Sequence, residues 1–140
     1  MGTREHTILL LDDDPDFLEI HGSLLENHGY SVIRCETPEE AIRRSIAHRP
    51  SLIITDLMMD HLDAGFTLAR QIKALNGLDG IPIIMITGVS RSLGFDLSPR
   101  CHADLEAMHV DAWLDKPVRP AELLSVVQRL LDAVNREGHP

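Results

Sequence analysis

Acidic, hydroxyl and ammonium side chains each stand at the end of an apolar run in this chain of 140 residues. They are Asp12 and Asp13 after ILLL, Asp56 after SLIIT, Thr87 at the end of IPIIMIT, and Lys116 after DAWLD. Clustered carboxylates suit Mg²⁺, which binds through few of them and keeps waters and substrate oxygens. A divalent metal, an ammonium and a hydroxyl around one aspartate are the groups needed to transfer a phosphoryl group to it.

Five apolar runs alternate with segments of helical periodicity, which predicts five β-α units in series. The runs are TILLL (7–11), YSVIRC (30–35), SLIIT (51–55), IPIIMIT (81–87) and DAWLD (111–115). Such alternation implies an α/β fold with a parallel sheet and helices on both faces. The second and fifth runs are more mixed, so we place them at the sheet edges. In such sheets the functional site lies at the carboxyl ends of the strands.

Capping residues set the predicted helix boundaries. Asp14 is a predicted N-cap before Pro15, and Gly29 stops the first helix near residue 28. Thr37 and Glu40 form a predicted capping box for the second helix. The third predicted helix spans 66–75, with Phe66, Ala69, Ile72 and Leu75 on one face, and the last begins near Pro120, with Leu123, Val127, Leu130 and Val134 as its buried stripe.

Composition excludes several classes of protein. The length favours a single domain spanning residues 1–140, with a core from about 6 to 135. The net charge of −9 disfavours direct nucleic-acid binding and suits a cation site or a basic partner. Apolar runs too short for a bilayer argue against membrane association. The N-terminus MGTREHT leads into no signal segment and there are two cysteines, so we expect a cytoplasmic protein.

The chain resembles the receiver domain of two-component response regulators. The resemblance rests on the pair Asp12-Asp13, on Asp56, on Thr87 and on Lys116-Pro117, in this order and each at a predicted strand end. It implies a flavodoxin-like, doubly wound, five-stranded parallel sheet of order 2-1-3-4-5 with five flanking helices, as in chemotaxis regulators. It also implies a phosphorylation switch in signalling.

The resemblance implies an acceptor and a metal site. Asp56 would take a phosphoryl group from the phosphohistidine of a sensor histidine kinase or a histidine phosphotransfer protein. Asp13 would bind Mg²⁺ directly, Asp12 mainly through a water, and the main-chain carbonyl of Met58 would complete the protein ligands alongside Asp56. We interpret Asp14 as a helix cap and not as a ligand.

Further residues would respond to the phosphoryl group. Lys116 would pair with the acceptor and then with phosphoryl oxygens, Thr87 would move its hydroxyl inward, and Trp113 is the expected switch aromatic. A downstream effector would bind the surface of the fourth helix, fifth strand and fifth helix, and homodimerisation on phosphorylation is a further expectation. The resemblance also implies that the side chains of Met58 and Val89 would flank the approach of the hydrolytic water; neither can orient it by hydrogen bonding, so we expect slow self-dephosphorylation.

Three features depart from the family pattern. The loop DLMMDHLDAGF has Asp60 where the family usually has proline, and it is one residue longer. The stretch VSRSLGFDLSPR (89–100) is also longer than expected. Two explanations stay open: the stretch helps to dock a partner, or it is a tolerated surface insertion. No effector domain follows in the sequence, which leaves open a stand-alone regulator or a piece of a longer protein.

Two alternatives come from other classes. A haloacid-dehalogenase-like phosphatase would use Asp12 as nucleophile with Asp14, Thr87 and Lys116, but its acidic pair is missing and Asp56 would have no role. A receiver-like interaction module without phosphorylation is the second alternative, and the full set of matching residues argues against it. We expect no conventional enzyme, only a protein that catalyses its own phosphorylation and slow dephosphorylation.

Overall fold

The computed structural model describes residues 6–56, 70–75, 80–87 and 110–137. Five strands form one parallel sheet of order β2-β1-β3-β4-β5. They are β1 (Thr7–Leu11), β2 (Ser31–Cys35), β3 (Leu52–Asp56), β4 (Ile83–Thr87) and β5 (Ala112–Asp115). The predicted fold class, the strand order and the edge positions of β2 and β5 are confirmed.

Three helices lie wholly among the described residues: α1 (Pro15–Asn27), α2 (Pro38–His48) and α3 (Pro120–Glu137). Residues 70–74 are also helical and belong to the predicted third helix. Leu75, the predicted end of that helix, lies just past its last helical residue, and residues 66–69 and the predicted fourth helix lie outside the described residues. No described helix combines the length and apolar character that crossing a membrane requires.

Each face of the sheet has its own hydrophobic core, because successive strand residues point to opposite faces. One core joins the sheet to α2 and to Ile72, and its strand residues are Leu9, Leu11, Cys35, Ile53, Ile83 and Met85. The other joins the sheet to α1 and α3, and its strand residues are Ile8, Leu10, Leu52, Ile54, Ile84, Ile86, Ala112 and Leu114. Helices on both faces therefore hold the central strands rigidly, which fixes the positions of their carboxyl ends.

The boundaries of α1 follow from its capping residues. The Asp14 carboxylate accepts a hydrogen bond from the Asp16 N–H at 3.0 Å, as predicted, and Pro15 occupies the first helical position. At the other end Gly29 has a φ of +94°, a conformation that L side chains rarely adopt. The N–H of Tyr30 then bonds the Leu25 carbonyl, which completes a Schellman motif.

The capping box of α2 forms with one difference from the prediction. The Thr37 hydroxyl accepts from the Glu40 N–H at 3.2 Å, as expected. The Glu40 carboxylate, however, accepts from the N–H of Glu36 at 3.2 Å and not from that of Thr37. The returning side chain therefore reaches one residue further back than in the standard box.

The predicted buried stripe of α3 is partly wrong. Leu123 and Val127 are fully buried as predicted, but the next buried residue is Leu131, while Leu130 is only partly buried. The buried face is centred on Val127, and at 3.6 residues per turn Leu131 lies about 40° from that centre whereas Leu130 lies about 60° away. The side chain of Val134 lies outside the described residues.

An arginine from the edge strand β2 lies across α1. This residue is Arg34. Its guanidinium donates to the Leu18 carbonyl at 3.3 Å and to both carboxylate oxygens of Glu26 at 3.1 and 3.2 Å. A Cβ at Gly22 would lie 2.5 Å from Arg34 Nη2. Glycine at this helical position therefore leaves the space that the guanidinium occupies.

Candidate functional site

The two central strands bring two carboxylates side by side. Leu11 pairs with Thr55 in the β1–β3 register, so Asp12, one residue further on, is level with Asp56 at the end of β3. The N–H of Asp12 donates to the Cys35 carbonyl at 3.2 Å, which continues the pairing with β2 past the end of β1. Asp12 is 1% exposed and Asp56 is 7% exposed. Strand register thus places both carboxylates in a buried position at the carboxyl edge.

A lysine from the edge of the sheet joins these carboxylates. Lys116 follows β5 directly, and its peptide bond to Pro117 is cis. Its Nζ donates to Asp12 Oδ2 and to Asp56 Oδ2, both at 3.2 Å. The long lysine stem allows this contact although β4 lies between β5 and β3 in the sheet. One ammonium therefore bridges two buried carboxylates from different strands.

Burial and charge change the titration of this site. Burial raises the pKa of Asp12 from 3.8 to about 6, and the nearby charge of Asp56 adds to the effect. The hydrogen bond from the Asp14 N–H, at 2.9 Å, and the ammonium of Lys116 oppose that rise without cancelling it. Burial also disfavours the charged form of Lys116, but Asp56 and Asp12 outweigh it and raise the lysine pKa. Among the described residues, this site sets three carboxylates against one lysine.

The arrangement fits a divalent cation that prefers oxygen. Carboxylate oxygens of Asp12, Asp13 and Asp56 all lie within 4.8 Å of one another, and Asp13 is exposed. At an effective dielectric of ~20, two charges ~4 Å apart repel by about 4 kcal/mol, so a cation among them removes a large penalty. Hard oxygen donors with an open side suit Mg²⁺. Asp14 is engaged as the cap of α1. We name Asp12, Asp13, Asp56 and Lys116 the carboxyl-end cluster.

The other predicted site residues are described only in part. Thr87 ends β4 at the same edge, and its backbone pairs with Asp115. Trp113 lies on β5 opposite Met85, is partly buried, and packs against the core on the α2 side of the sheet. Met58, Asp60, Val89 and the stretch 89–100 lie outside the described residues. The roles expected for all of these residues stay predictions.

Two neighbours of the cluster were not anticipated from the sequence. Lys116 Nζ lies 4.8 Å from the centroid of the Phe17 ring, and the His21 imidazole stacks on that ring with centroids 4.0 Å apart. Both aromatic residues lie on α1, which starts directly after the acidic residues. That closeness in sequence was the available signal, but periodicity alone does not say which residue of the first turn meets a lysine a hundred positions later.

The family of this chain follows from its relatives. A family model described as the response regulator receiver domain matches residues 8–128. The transcriptional regulatory protein CssR of Bacillus subtilis is 31% identical over 139 residues, which cover 96% of this chain and 55% of CssR. The chain thus spans about half the length of this curated relative.

Solved structures agree with this relationship. A CheY-like response regulator receiver domain protein from Methanospirillum hungatei is 27% identical, with a TM-score of 0.81 over 96% of this chain and 100% of the other. The receiver domain of the sensor histidine kinase PA1611 from Pseudomonas aeruginosa, solved with magnesium coordinated in its active-site cleft, is 26% identical, with a TM-score of 0.75 over 92% of this chain and 99% of the other. By sequence and by fold, the chain belongs to the response regulator receiver domain family.

Proposed function

We propose that residues 1–140 act as one receiver domain, and that Asp56 accepts a phosphoryl group from the phosphohistidine of a sensor histidine kinase or a histidine phosphotransfer protein. One observation carries the proposal. The Asp56 carboxylate ends a central strand, 3.2 Å from Lys116 Nζ and beside two further carboxylates. A nucleophilic carboxylate next to an ammonium and a cation site is the arrangement that phosphoryl transfer to aspartate needs.

The transfer exchanges one bond to phosphorus for another. A carboxylate oxygen of Asp56 attacks phosphorus, the bond from phosphorus to the donor's imidazole nitrogen breaks, and that nitrogen keeps the electron pair and takes up a proton. Lys116 is held in place before the reaction by Asp12 and Asp56, and its ammonium then pairs with phosphoryl oxygens. Preorganised charge of this kind stabilises the transition state without reorganisation.

Asp12, Asp13, Asp56 and the main-chain carbonyl of Met58 are the proposed protein ligands for Mg²⁺, whose charge, when bound, offsets the negative charge of the transferring group. The described part of this set, the three carboxylates within 4.8 Å, supports the assignment. The magnesium ion in the PA1611 receiver domain, which shares this fold, supports it as well. The burial that raises the pKa of Asp12 to about 6 makes its ionised form costly, and a bound cation would offset that cost.

The proposed output is a population shift. Thr87 would bond a phosphoryl oxygen and Trp113 would turn inward. These movements would change the surface formed by the predicted fourth helix, β5 and the last helix α3, which an effector or a second copy of the chain would bind. Moving an equilibrium from 1:99 to 99:1 takes about 5.5 kcal/mol of differential stabilisation. The phosphoryl group carries about two negative charges in place of the single carboxylate charge of Asp56, and its interactions with Lys116 and the cation can be of this order in a partly buried site.

The phosphatase alternative receives no support from the site. Both oxygens of Asp12 already accept hydrogen bonds, from the Asp14 N–H and from Lys116, in a residue that is 1% exposed. The alternative also needs an acidic pair after Lys116, which the sequence does not supply, and it gives Asp56 no role beside the lysine that it contacts. The interaction-module alternative predicts no phosphorylation at all, so the experiment below decides it.

Incubation with acetyl phosphate and Mg²⁺, followed by intact-mass measurement, tests the proposal. We expect one added phosphoryl group on the wild type and none on Asp56→Asn. Asp115→Asn is the matched control, because Asp115 is an exposed aspartate that ends the strand leading to Lys116. Labelling of Asp56→Asn at the wild-type level, or an unlabelled wild type, would contradict the proposal.

A further inference from the structure

A phenylalanine contacts the ammonium group of the carboxyl-end cluster. The centroid of the Phe17 ring lies 4.8 Å from Lys116 Nζ, within the range of a cation–π contact. The side chain of Lys116 is only 32% exposed, so the attraction is weakened less by water than at an open surface. The ring is therefore a third neighbour of the ammonium, after Asp12 and Asp56.

The position of the ring is fixed by the same loop that carries the metal-site carboxylates. Asp12 accepts from the Asp14 N–H, and Asp14 in turn caps α1 through the Asp16 N–H. Phe17 follows in the first turn of the helix and packs against the core that α1 shares with α3. The imidazole of His21, whose Nδ1 lies 3.1 Å from the Phe17 carbonyl, stacks on the ring. The ring is thus held on two sides and has little freedom to move away.

We propose that Phe17 is a positioning residue for phosphoryl transfer, which holds the Lys116 ammonium over the Asp56 carboxylate; the proposal rests on the function proposed above. Lysine has a flexible four-carbon stem and three rotatable donors, so two hydrogen bonds alone leave it several poses. The ring attracts the charge without supplying an acceptor atom. The N–H donors of Lys116 therefore stay available to the carboxylates before transfer and to the phosphoryl oxygens after it.

A packing role alone makes a different prediction from a positioning role. If Phe17 only fills space, any apolar residue that preserves folding also preserves the labelling rate. If its ring positions Lys116, the rate follows the ring and not the apolar volume. Phe17→Leu keeps an apolar side chain and removes the ring, whereas Phe17→Tyr keeps the ring face. Leu24→Ala is the matched control, because Leu24 is a partly buried residue of the same helix and the same core.

The experiment measures the rate of labelling over a range of acetyl phosphate concentrations with Mg²⁺ present. For Phe17→Leu we expect the saturating rate to fall about tenfold, equivalent to ~1.4 kcal/mol, with the half-saturating concentration changed less than about twofold. For Phe17→Tyr and Leu24→Ala we expect saturating rates close to that of the wild type. In ¹H–¹³C NMR spectra of the wild type, ring current should displace the ε-methylene protons of Lys116 upfield, and Phe17→Leu should remove that displacement.

Each result bears on the proposal in a definite way. A labelled wild type with an equally fast Phe17→Leu overturns the positioning role and leaves the proposed function intact. An equal loss in Phe17→Tyr and Phe17→Leu also overturns it, because the ring is then not the cause. If Phe17→Leu fails to fold, undisplaced Lys116 resonances in the wild type overturn the contact directly. A wild type that takes no label overturns the proposed function and this proposal together.

Discussion

The sheet carries a lysine–aspartate arrangement at each end, and the two are built differently. At the amino end Lys73 Nζ donates to the Ile81 carbonyl at 2.8 Å and lies 3.5 Å from Asp111 Oδ2. The same carboxylate accepts from the Ile83 N–H at 2.8 Å, where β4 begins. We name Lys73 and Asp111 the amino-end pair. The pair consists of one ammonium and one carboxylate, and it ties the start of β4 to the segment that leads into β5.

The carboxyl-end cluster has the opposite character. Among the described residues it holds three carboxylates and one ammonium, two of the carboxylates are buried, and the pKa of Asp12 is raised to about 6. An uncompensated buried charge is destabilising unless a further group binds to it. An excess of buried carboxylates among the described residues, and not the lysine–aspartate contact itself, therefore marks the carboxyl end as the candidate functional site.

Removing each lysine in turn gives the largest contrast. We expect Lys116→Met to lower the rate of acetyl phosphate labelling by about a hundredfold or more, as removal of one stabilising donor does in other active sites. Lys73→Met should leave that rate within about twofold of the wild type, because the amino-end pair lies at the other end of the strands. Intact-mass time courses measure both. Equal losses in the two variants would break the distinction between the ends.

Removing the buried charge of Asp12 should stabilise the protein without metal. Its pKa is raised in the folded state from 3.8 to about 6, so folding disfavours the ionised form, and the penalty grows between these two pH values and stays constant above them. A rise of this size is worth roughly 3 kcal/mol, and we expect Asp12→Asn to gain about 1–3 kcal/mol at pH 7.5.

Urea unfolding in EDTA at pH 7.5 and pH 4 measures this effect. The gain should be nearly absent at pH 4, where the folded wild type already has a protonated Asp12. Added Mg²⁺ should stabilise the wild type more than the variant. A variant that is less stable than the wild type at pH 7.5 in EDTA would show that the ion pair with Lys116 outweighs the cost of burial.

Residues beyond the strand ends should set the lifetime of the phosphorylated state. Met58 and Val89 offer no hydrogen bond to an attacking water, and a polar pair at these positions would orient it. We expect Met58→Asn combined with Val89→Glu to accelerate hydrolysis of phospho-Asp56 about tenfold, or ~1.4 kcal/mol of barrier. Decay of the label after donor removal, with Mg²⁺ present, gives the rate. A wild type that decays within seconds would argue against this account.

The amino-end pair should give the smallest effect, and one on stability alone. The side chains of Lys73 and Asp111 are 20% and 40% exposed, and a partly exposed ion pair contributes about 0–1 kcal/mol. We therefore expect Lys73→Met to lower the free energy of unfolding by about 1 kcal/mol or less, an effect reduced by salt and unchanged by Mg²⁺. Urea titrations at low and high salt provide the check, and a magnesium-dependent loss would contradict it.

Sequence patterns predicted those features that depend on the residues of a single strand or helix. The runs around Leu9 and Ile53 indicated buried strands, and Asp14 indicated a helix cap, because strand burial and capping depend on local spacing. The carboxylates of Asp12 and Asp56 were expected to meet because strand ends share an edge in a parallel sheet.

Contacts between elements were harder to predict. Leu131 replaces Leu130 on the buried face of α3 because the centre of that face depends on how the helix rotates against the sheet. The contact of Phe17 with Lys116 depends on the relative placement of α1 and the end of β5. The raised pKa of Asp12 depends on how deeply its carboxylate is buried, and three consecutive aspartates in the sequence do not show which of them is buried.

The contact of Arg34 with α1 should make substitutions at positions 22 and 34 depend on each other. Glycine inside a helix is less favourable than alanine by roughly 0.5–1 kcal/mol, so helix stability alone would favour alanine at Gly22. A methyl group there would displace the Arg34 guanidinium from its contacts with Leu18 and Glu26. Positions 22 and 34 should therefore vary together among relatives, with a side chain at 22 accompanied by a shorter residue at 34.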